Sequence, residues 1–413
     1  MRHVARMAAF AICLLVLLTT CSAPGAPRIS GFVAAPTPAL GPTVLPTVTP
    51  VPGAPAPTPP LAVPAAPPLA AVMAPASTGR VVLPPDLEAR AAQMDAYLAS
   101  LAQQGAFSGA ALVAANGRVL LSRGYGLANR EEGIPAGAAT RFRLASVSKP
   151  LTAVAVLRLV AAGKVGLDNS ICDYLEPCPA AWVPVTVAHL LGQSSGIPNY
   201  TDFADFAAVE QLPSTPDQVI ARFRDLPLGF APGTAYQYCN SNYVLLGRII
   251  ERVTGQSYPD VLRQELFAPL GMANSGYDPG DFGPLGGTRG YAGGALDIPL
   301  NTSNLFAAGG LYSTVEDLLR FTQALESGQL LSPELVARMT TPGVGRYGLG
   351  WMIEQRGAYR LVYHPGSMSG AATWLGLYPD AGVTVIVLSN DYYANVYGIA
   401  DYLAGLVLPY WGT

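Results

Sequence analysis

Residues 143–153 read RLASVSKPLTA, and the fold turns on what two serines and a lysine do just ahead of an apolar run. The run Pro150–Ala162 carries a single charge, Arg158, and stops at Gly163. A helix that is apolar nearly all round is a buried one, and the glycine suits a C-terminal cap. Proline is tolerated only in a first turn, so the helix starts near Ser146. Ser146 and Lys149 then lie one turn apart on the same face. A serine is a weak nucleophile at neutral pH unless a neighbour takes its proton. A lysine confined in a cleft can have its pKa lowered enough to do so. The helix N-terminus adds positive partial charge, and the backbone N–H of Ser146 can help hold an oxyanion. Ser148 has no lysine three residues on and is assigned to the helix start. Taken alone, S-x-x-K is equally the polar start of any buried helix.

Two further stretches decide between these readings. PGTAYQYCNSNYVLLGRIIERVTG places Tyr238-Cys239-Asn240 directly before an apolar helix ending at Gly255, and LVYHPGSMSG places His364-Pro365-Gly366 at the end of a strand. Singly, Tyr238 reads as a half-buried aromatic and Asn240 as a cap. Their joint order is more specific. S-x-x-K, then Tyr-x-Asn, then a cationic or imidazole residue followed by x-Gly, resembles the serine β-lactamase and penicillin-binding-protein superfamily. The closest branch is that of class C β-lactamases, DD-peptidases and family VIII esterases. TVAHLLGQSSGIPNY, APLGM, AAGGLYSTVEDLLRF, YGLGW and VIVLSN also look like that branch.

The resemblance implies a β-lactamase/transpeptidase-like α/β (α+β) fold and a serine hydrolase working through an acyl-enzyme on Ser146. It makes Lys149 and Tyr238 catalytic, with the choice of general base between them open. Asn240, His364, Gly366 and Ser367 become substrate-binding positions, Ser367 offering the second oxyanion N–H. His364 stands where many relatives carry lysine. The implied substrate is an ester or amide: a D-amino-acid peptide of the cell wall, a small ester or a β-lactam. The alternative is a penicillin- or peptidoglycan-binding domain that does not turn over. No cofactor is implied.

The residues themselves agree with that fold class. FSGAALVAANGRVLLSRGYG predicts two strands about an Asn116-Gly117 turn, and GLGWMIEQ, YRLVYH, TWLGLYP and VTVIVLSN predict four more near the C-terminus. Helical patterns fill the middle, at 151–162, 185–191, 243–253, 315–325 and 333–339, and one more closes the chain at 396–408. Strands at both ends predict one antiparallel sheet built from both termini and flanked by helices, with a mostly helical lobe inserted and a cleft between.

The N-terminal part is different. Residues 1–20 have Arg2 and Arg6 ahead of the apolar run Met7–Leu18, too short to span a bilayer and right for a signal peptide. LTTC resembles the bacterial lipoprotein signal, which makes Cys21 the lipidation candidate and the protein an exported, membrane-anchored one; plain secretion is the fallback. Residues 21–85 hold 18 of the 38 prolines and almost no charge, so they cannot build a core and read as an extended tether. Residues 86–413 form the folded domain. The net charge of −3 comes with no basic cluster, which excludes nucleic acid as a partner.

Cys172 and Cys178, in CDYLEPC, can close a small disulfide loop in an oxidising exterior. Beyond the signal region the histidines are His189 and His364, with no cysteine or carboxylate cluster beside them, so a zinc site is not expected. Ser313-Thr314 before Glu316-Asp317 reads as a helix cap. One rival motif remains. GQSSG (192–196) matches the G-x-S-x-G elbow, with Ser194 as nucleophile and Asp317 and His364 downstream. An elbow needs a strand before the serine, whereas VAHLL predicts a helix there.

Overall fold

The structure, a computed structural model, describes residues 84–278, 280 and 282–408. The signal peptide, nearly all of the tether and Cys21 lie outside the described residues. The elements that frame the site are, in chain order, α1 (Leu87–Gln103), β1 (Gly109–Ala115), β2 (Arg118–Tyr125), β3 (Phe142–Arg143), α2 (Ser148–Ala161) and α3 (Val187–Leu191). They continue with α4 (Asn240–Thr254), β4 (Gly276–Tyr277), β5 (Leu311–Ser313), α5 (Val315–Glu326), β6 (Met352–Arg356), β7 (Tyr359–Met368), β8 (Ala371–Tyr378), β9 (Val383–Ser389) and α6 (Val396–Gly405).

The main sheet has six strands in the order β6-β7-β8-β9-β1-β2, every pairing antiparallel. Both chain ends build it, and the join is the register Leu112↔Ile386 between β1 and β9. Asn116-Gly117 makes the expected turn, both residues having positive φ. Every residue of β1, β8 and β9 is buried, because both faces of the sheet are covered. Alternation then sorts side chains to two cores. Ala110, Leu112 and Leu388 face the core shared with α2 and the helical lobe. Ala111, Val113 and Val387 face α1 and α6. Each fully buried Leu or Val contributes about 1.5–3 kcal/mol relative to exposure.

Two elements differ from the sequence expectation. Helix α1 is absent from it; Met94 and Leu98, one turn apart, are its fully buried residues, and the half-buried Tyr97, Ala99, Leu101 and Ala102 pack beside them among alanines that blur the period. Strand β7 does not end at His364–Gly366 but runs on to Met368, because Gly366 and Ser367 continue the ladder with Thr373 and Ala372. A second, three-stranded sheet, β3-β5-β4, joins the entry to Ser146 to the far side of the lobe.

Candidate active site

Strand β3 delivers the chain to Ser146 under close constraint. Leu144 N donates to Leu311 O at 2.8 Å, and Thr373 Oγ1 donates to Leu144 O at 2.7 Å. Ala145 then takes φ +48, a left-handed conformation that disfavours any residue with a Cβ. Ser146 lies in a 3-10 turn, Ala145–Val147, and α2 begins at Ser148. The helical start is thus placed as expected, but Ser148 does not cap it: its Oγ accepts from Leu311 N at 3.1 Å and ties α2 to β5. Gly366 crosses behind this turn. A Cβ there would stand 2.2 Å from Thr373 Oγ1 and 2.4 Å from Leu144 O, so only glycine lets β7 approach Ser146 so closely.

Lys149 is 0% exposed and its Nζ has three neighbours: Ser146 Oγ at 3.0 Å, Asn240 Oδ1 at 2.8 Å and Ala308 O at 2.8 Å. Burial holds the amine well below the usual lysine range. A neutral amine has two N–H donors and one lone pair. Asn240 Oδ1 and Ala308 O can only accept, so both N–H groups go to them. The lone pair is left facing the Ser146 hydroxyl, the one neighbour able to donate. This arrangement can take the serine's proton.

Tyr238 and Asn240 come from the end of an irregular segment and the first turn of α4. The ring of Tyr238 lies 4.8 Å from Lys149 Nζ. Burial raises its phenol, opposed by hydrogen bonding with the Ser146 hydroxyl. Burial thus pushes Tyr238 toward keeping its proton and Lys149 toward losing one, which offers Ser146 a candidate acid and a candidate base. Asn240 Nδ2 donates to Thr201 Oγ1 at 3.1 Å, orienting Oδ1 toward Lys149. Cys239 points away, its Sγ donating to Ile197 O at 3.3 Å.

His364 lies within β7 and is 0% exposed. Its Nδ1 is 2.6 Å from Pro365 O and its Nε2 2.9 Å from Tyr347 Oη. A carbonyl only accepts, so Nδ1 carries the hydrogen and Nε2 accepts from the tyrosine. Burial pushes the imidazole down to about 3. Ser367 is exposed on the same strand. Tyr347 was not among the expected site residues. It is one of 20 tyrosines, and only its place in YGLGW set it apart.

The remaining candidates do not join this cluster. Ser194 follows helix α3 with no strand before it, its N–H bonded to His189 O at 2.9 Å. The elbow reading fails there, because the turn that exposes an elbow serine is missing. Asp317 accepts from Asn274 N and Ser275 Oγ at 2.8 Å each, and Thr314 caps α5. His189 Nδ1 accepts from Thr186 N at 3.1 Å in a capping box. Cys172 and Cys178 are joined in a disulfide with Cα atoms 5.4 Å apart. Among the described residues no group of three or more His, Cys, Asp or Glu could hold a metal ion.

Known proteins carry the same arrangement of chain. The family model described as Beta-lactamase matches residues 88–408. Esterase EstB of Burkholderia gladioli is 29% identical over 371 residues, covering 76% of this chain and 93% of its own. The penicillin binding protein from Bacillus halodurans superposes with a TM-score of 0.66 at 28% identity, over 75% of this chain and 99% of that one. The D-amino acid amidase from Ochrobactrum anthropi SV3 shares the fold, with a TM-score of 0.67 at 23% identity over 78% and 98% of the two chains. A family match spanning almost the whole described region, on a sheet built from both termini around Ser146, Lys149 and Tyr238, means that this chain belongs to the Beta-lactamase family.

Proposed function

We propose that this serine hydrolase cleaves an ester or amide through an acyl-enzyme on Ser146, with Lys149 as the base and Tyr238 as the proton donor. As Ser146 Oγ bonds to the substrate carbonyl carbon, its proton passes to Lys149 Nζ. Tyr238 gives a proton to the leaving oxygen or nitrogen as that bond breaks, and a water molecule later releases the acid. The backbone N–H groups of Ser146 and Ser367 are the oxyanion donors. The observation that carries this reading is the fully buried Lys149 Nζ at 3.0 Å from Ser146 Oγ, its pKa held down by burial.

The substrate is neutral on its leaving side. Lysine-bearing relatives offer an ammonium where this chain has His364, and His364 is a neutral ring with both nitrogens occupied. A small ester, or an amide without a carboxylate beside the scissile bond, fits better than a β-lactam or a carboxy-terminal D-peptide. The likeness to esterase EstB supports the ester. The exported, lipid-anchored location is proposed on residues 1–21 alone.

Fluorophosphonate labelling followed by peptide mapping, with turnover of p-nitrophenyl esters, a D-alanyl-D-alanine peptide and a chromogenic cephalosporin, tests the reading. An adduct on Ser146 with ester turnover in excess supports it. A stable penicillin adduct without turnover of any substrate favours the binding-only alternative.

A further inference from the structure

The GQSSG stretch supplies no nucleophile, yet its glutamine grips the segment that carries Tyr238. Gln193 O accepts from Gln237 N at 3.0 Å. Gln193 Oε1 accepts from Cys239 N at 3.1 Å and from Asn242 Nδ2 at 2.8 Å. One residue thus holds the N–H groups of both sequence neighbours of Tyr238, and through Asn242 the first turn of α4. Residues 235–239 have no regular secondary structure, so no ladder or helix of their own fixes Tyr238.

Gln193 is a poor choice for stability alone. It is 0% exposed with φ +59, in the left-handed region that favours glycine or asparagine. Its Nε2 is buried with no partner among the described residues. Both features cost stability, and local strain of this kind concentrates at functional sites. The neighbouring loop repeats the docking: Ser195 Oγ donates to Asn242 Oδ1 at 2.6 Å, and Asn240 N donates to Asn199 Oδ1 at 2.9 Å.

We propose that Gln193 is a positioning residue for the reaction, setting where the Tyr238 hydroxyl stands relative to Ser146. The proposal rests on the roles given above to Ser146 and Tyr238. It is tested in the full chain with Gln193→Asn and Gln193→Met, by steady-state hydrolysis of methyl butyrate, whose alkoxide leaving group needs a proton, and by Tm, beside Ser146→Ala. Asparagine suits the left-handed backbone, but its shorter side chain cannot reach Cys239 N. Its Tm therefore stays near the parent's, the easier backbone offsetting the unmet Cys239 and Asn242 donors, while kcat falls about 10- to 100-fold with little change in KM, as expected for a misplaced reacting group. Methionine keeps the volume, loses the acceptor and shows the same kcat loss. A kcat within about twofold of the parent in Gln193→Asn overturns the proposal. So does a loss of activity in both variants that only follows a loss of folded protein. Activity retained in Ser146→Ala is a separate failure, that of the nucleophile assignment.

Discussion

Lys149 Nζ and Ser146 Oγ stand 3.0 Å apart at the start of one buried helix, and the other two neighbours of the amine can only accept hydrogen bonds. When the amine is neutral, that relationship directs its lone pair at the serine hydroxyl. Because burial depresses the Lys149 pKa, kcat/KM rises with pH as the amine loses its proton, at an apparent pKa well below the ordinary 10.5. Lys149→Met removes that limb from the pH–rate profile along with most of the activity. Persistence of the limb in the variant would assign it to another group.

Ser146→Ala leaves the fold unchanged, because Ser146 is only partly buried and its hydroxyl meets polar site groups rather than packing. Ester turnover falls by about a thousandfold or more, the scale of losing a covalent nucleophile. Circular dichroism and a p-nitrophenyl ester assay read the two effects separately, and measurable burst kinetics in the variant would sink the assignment.

Tyr238→Phe removes one hydroxyl from a ring that keeps its contacts with Tyr347 and His364. Loss of a positioned general acid lowers kcat by about 10²–10⁴-fold. The loss is greater for an amide than for a nitrophenyl ester, whose leaving group needs no proton. Equal losses on both substrates would take Tyr238 out of leaving-group protonation.

His364 makes stability sensitive to acid. Its folded pKa of about 3 lies below the ordinary 6.5. Between those values the unfolded chain binds a proton that the folded chain refuses, so stability is full above pH 6.5 and falls as pH drops toward 3. His364→Gln, which cannot be charged, flattens this part of a Tm–pH curve. An unchanged acid slope in the variant would place the titration elsewhere.

The buried pair Arg143–Asp278, at 2.6 Å, braces the approach to Ser146 from the other side. Asp278 also accepts from Gly280 N and, through its backbone O, from Thr302 Oγ1. Asp278→Ala strands the Arg143 guanidinium in the interior and costs about 3–5 kcal/mol. Urea unfolding of the variant checks this, and a loss below about 1 kcal/mol, the size of an exposed pair, would mean that water reaches Arg143.

Much of this architecture was readable before any coordinates. The Asn116-Gly117 turn, the apolar strands near both ends and the helix after Ser146 are local patterns. Ser146, Lys149, Tyr238, Asn240 and His364 were legible because they sit in short motifs with a chemical reason for each member. Helix α1 escaped because its many alanines, on the buried and exposed faces alike, blur the helical period. Tyr347 and Gln193 escaped because nothing in their immediate sequence marks what they hold.

The sequence by itself determined which residues could react and the order in which the chain presents them, since turns, periods and motif spacings are properties of neighbouring residues. The tertiary structure alone decided how they are set to react. Lys149 is pushed toward its neutral form because the fold closes over it, and the same fold brings Ala308 O, 159 residues away, to 2.8 Å. His364 is neutral because the fold buries it completely, while Tyr347 and Pro365 meet its two ring nitrogens. Burial and long-range contact set these protonation states, and neither is a property of any short stretch of chain.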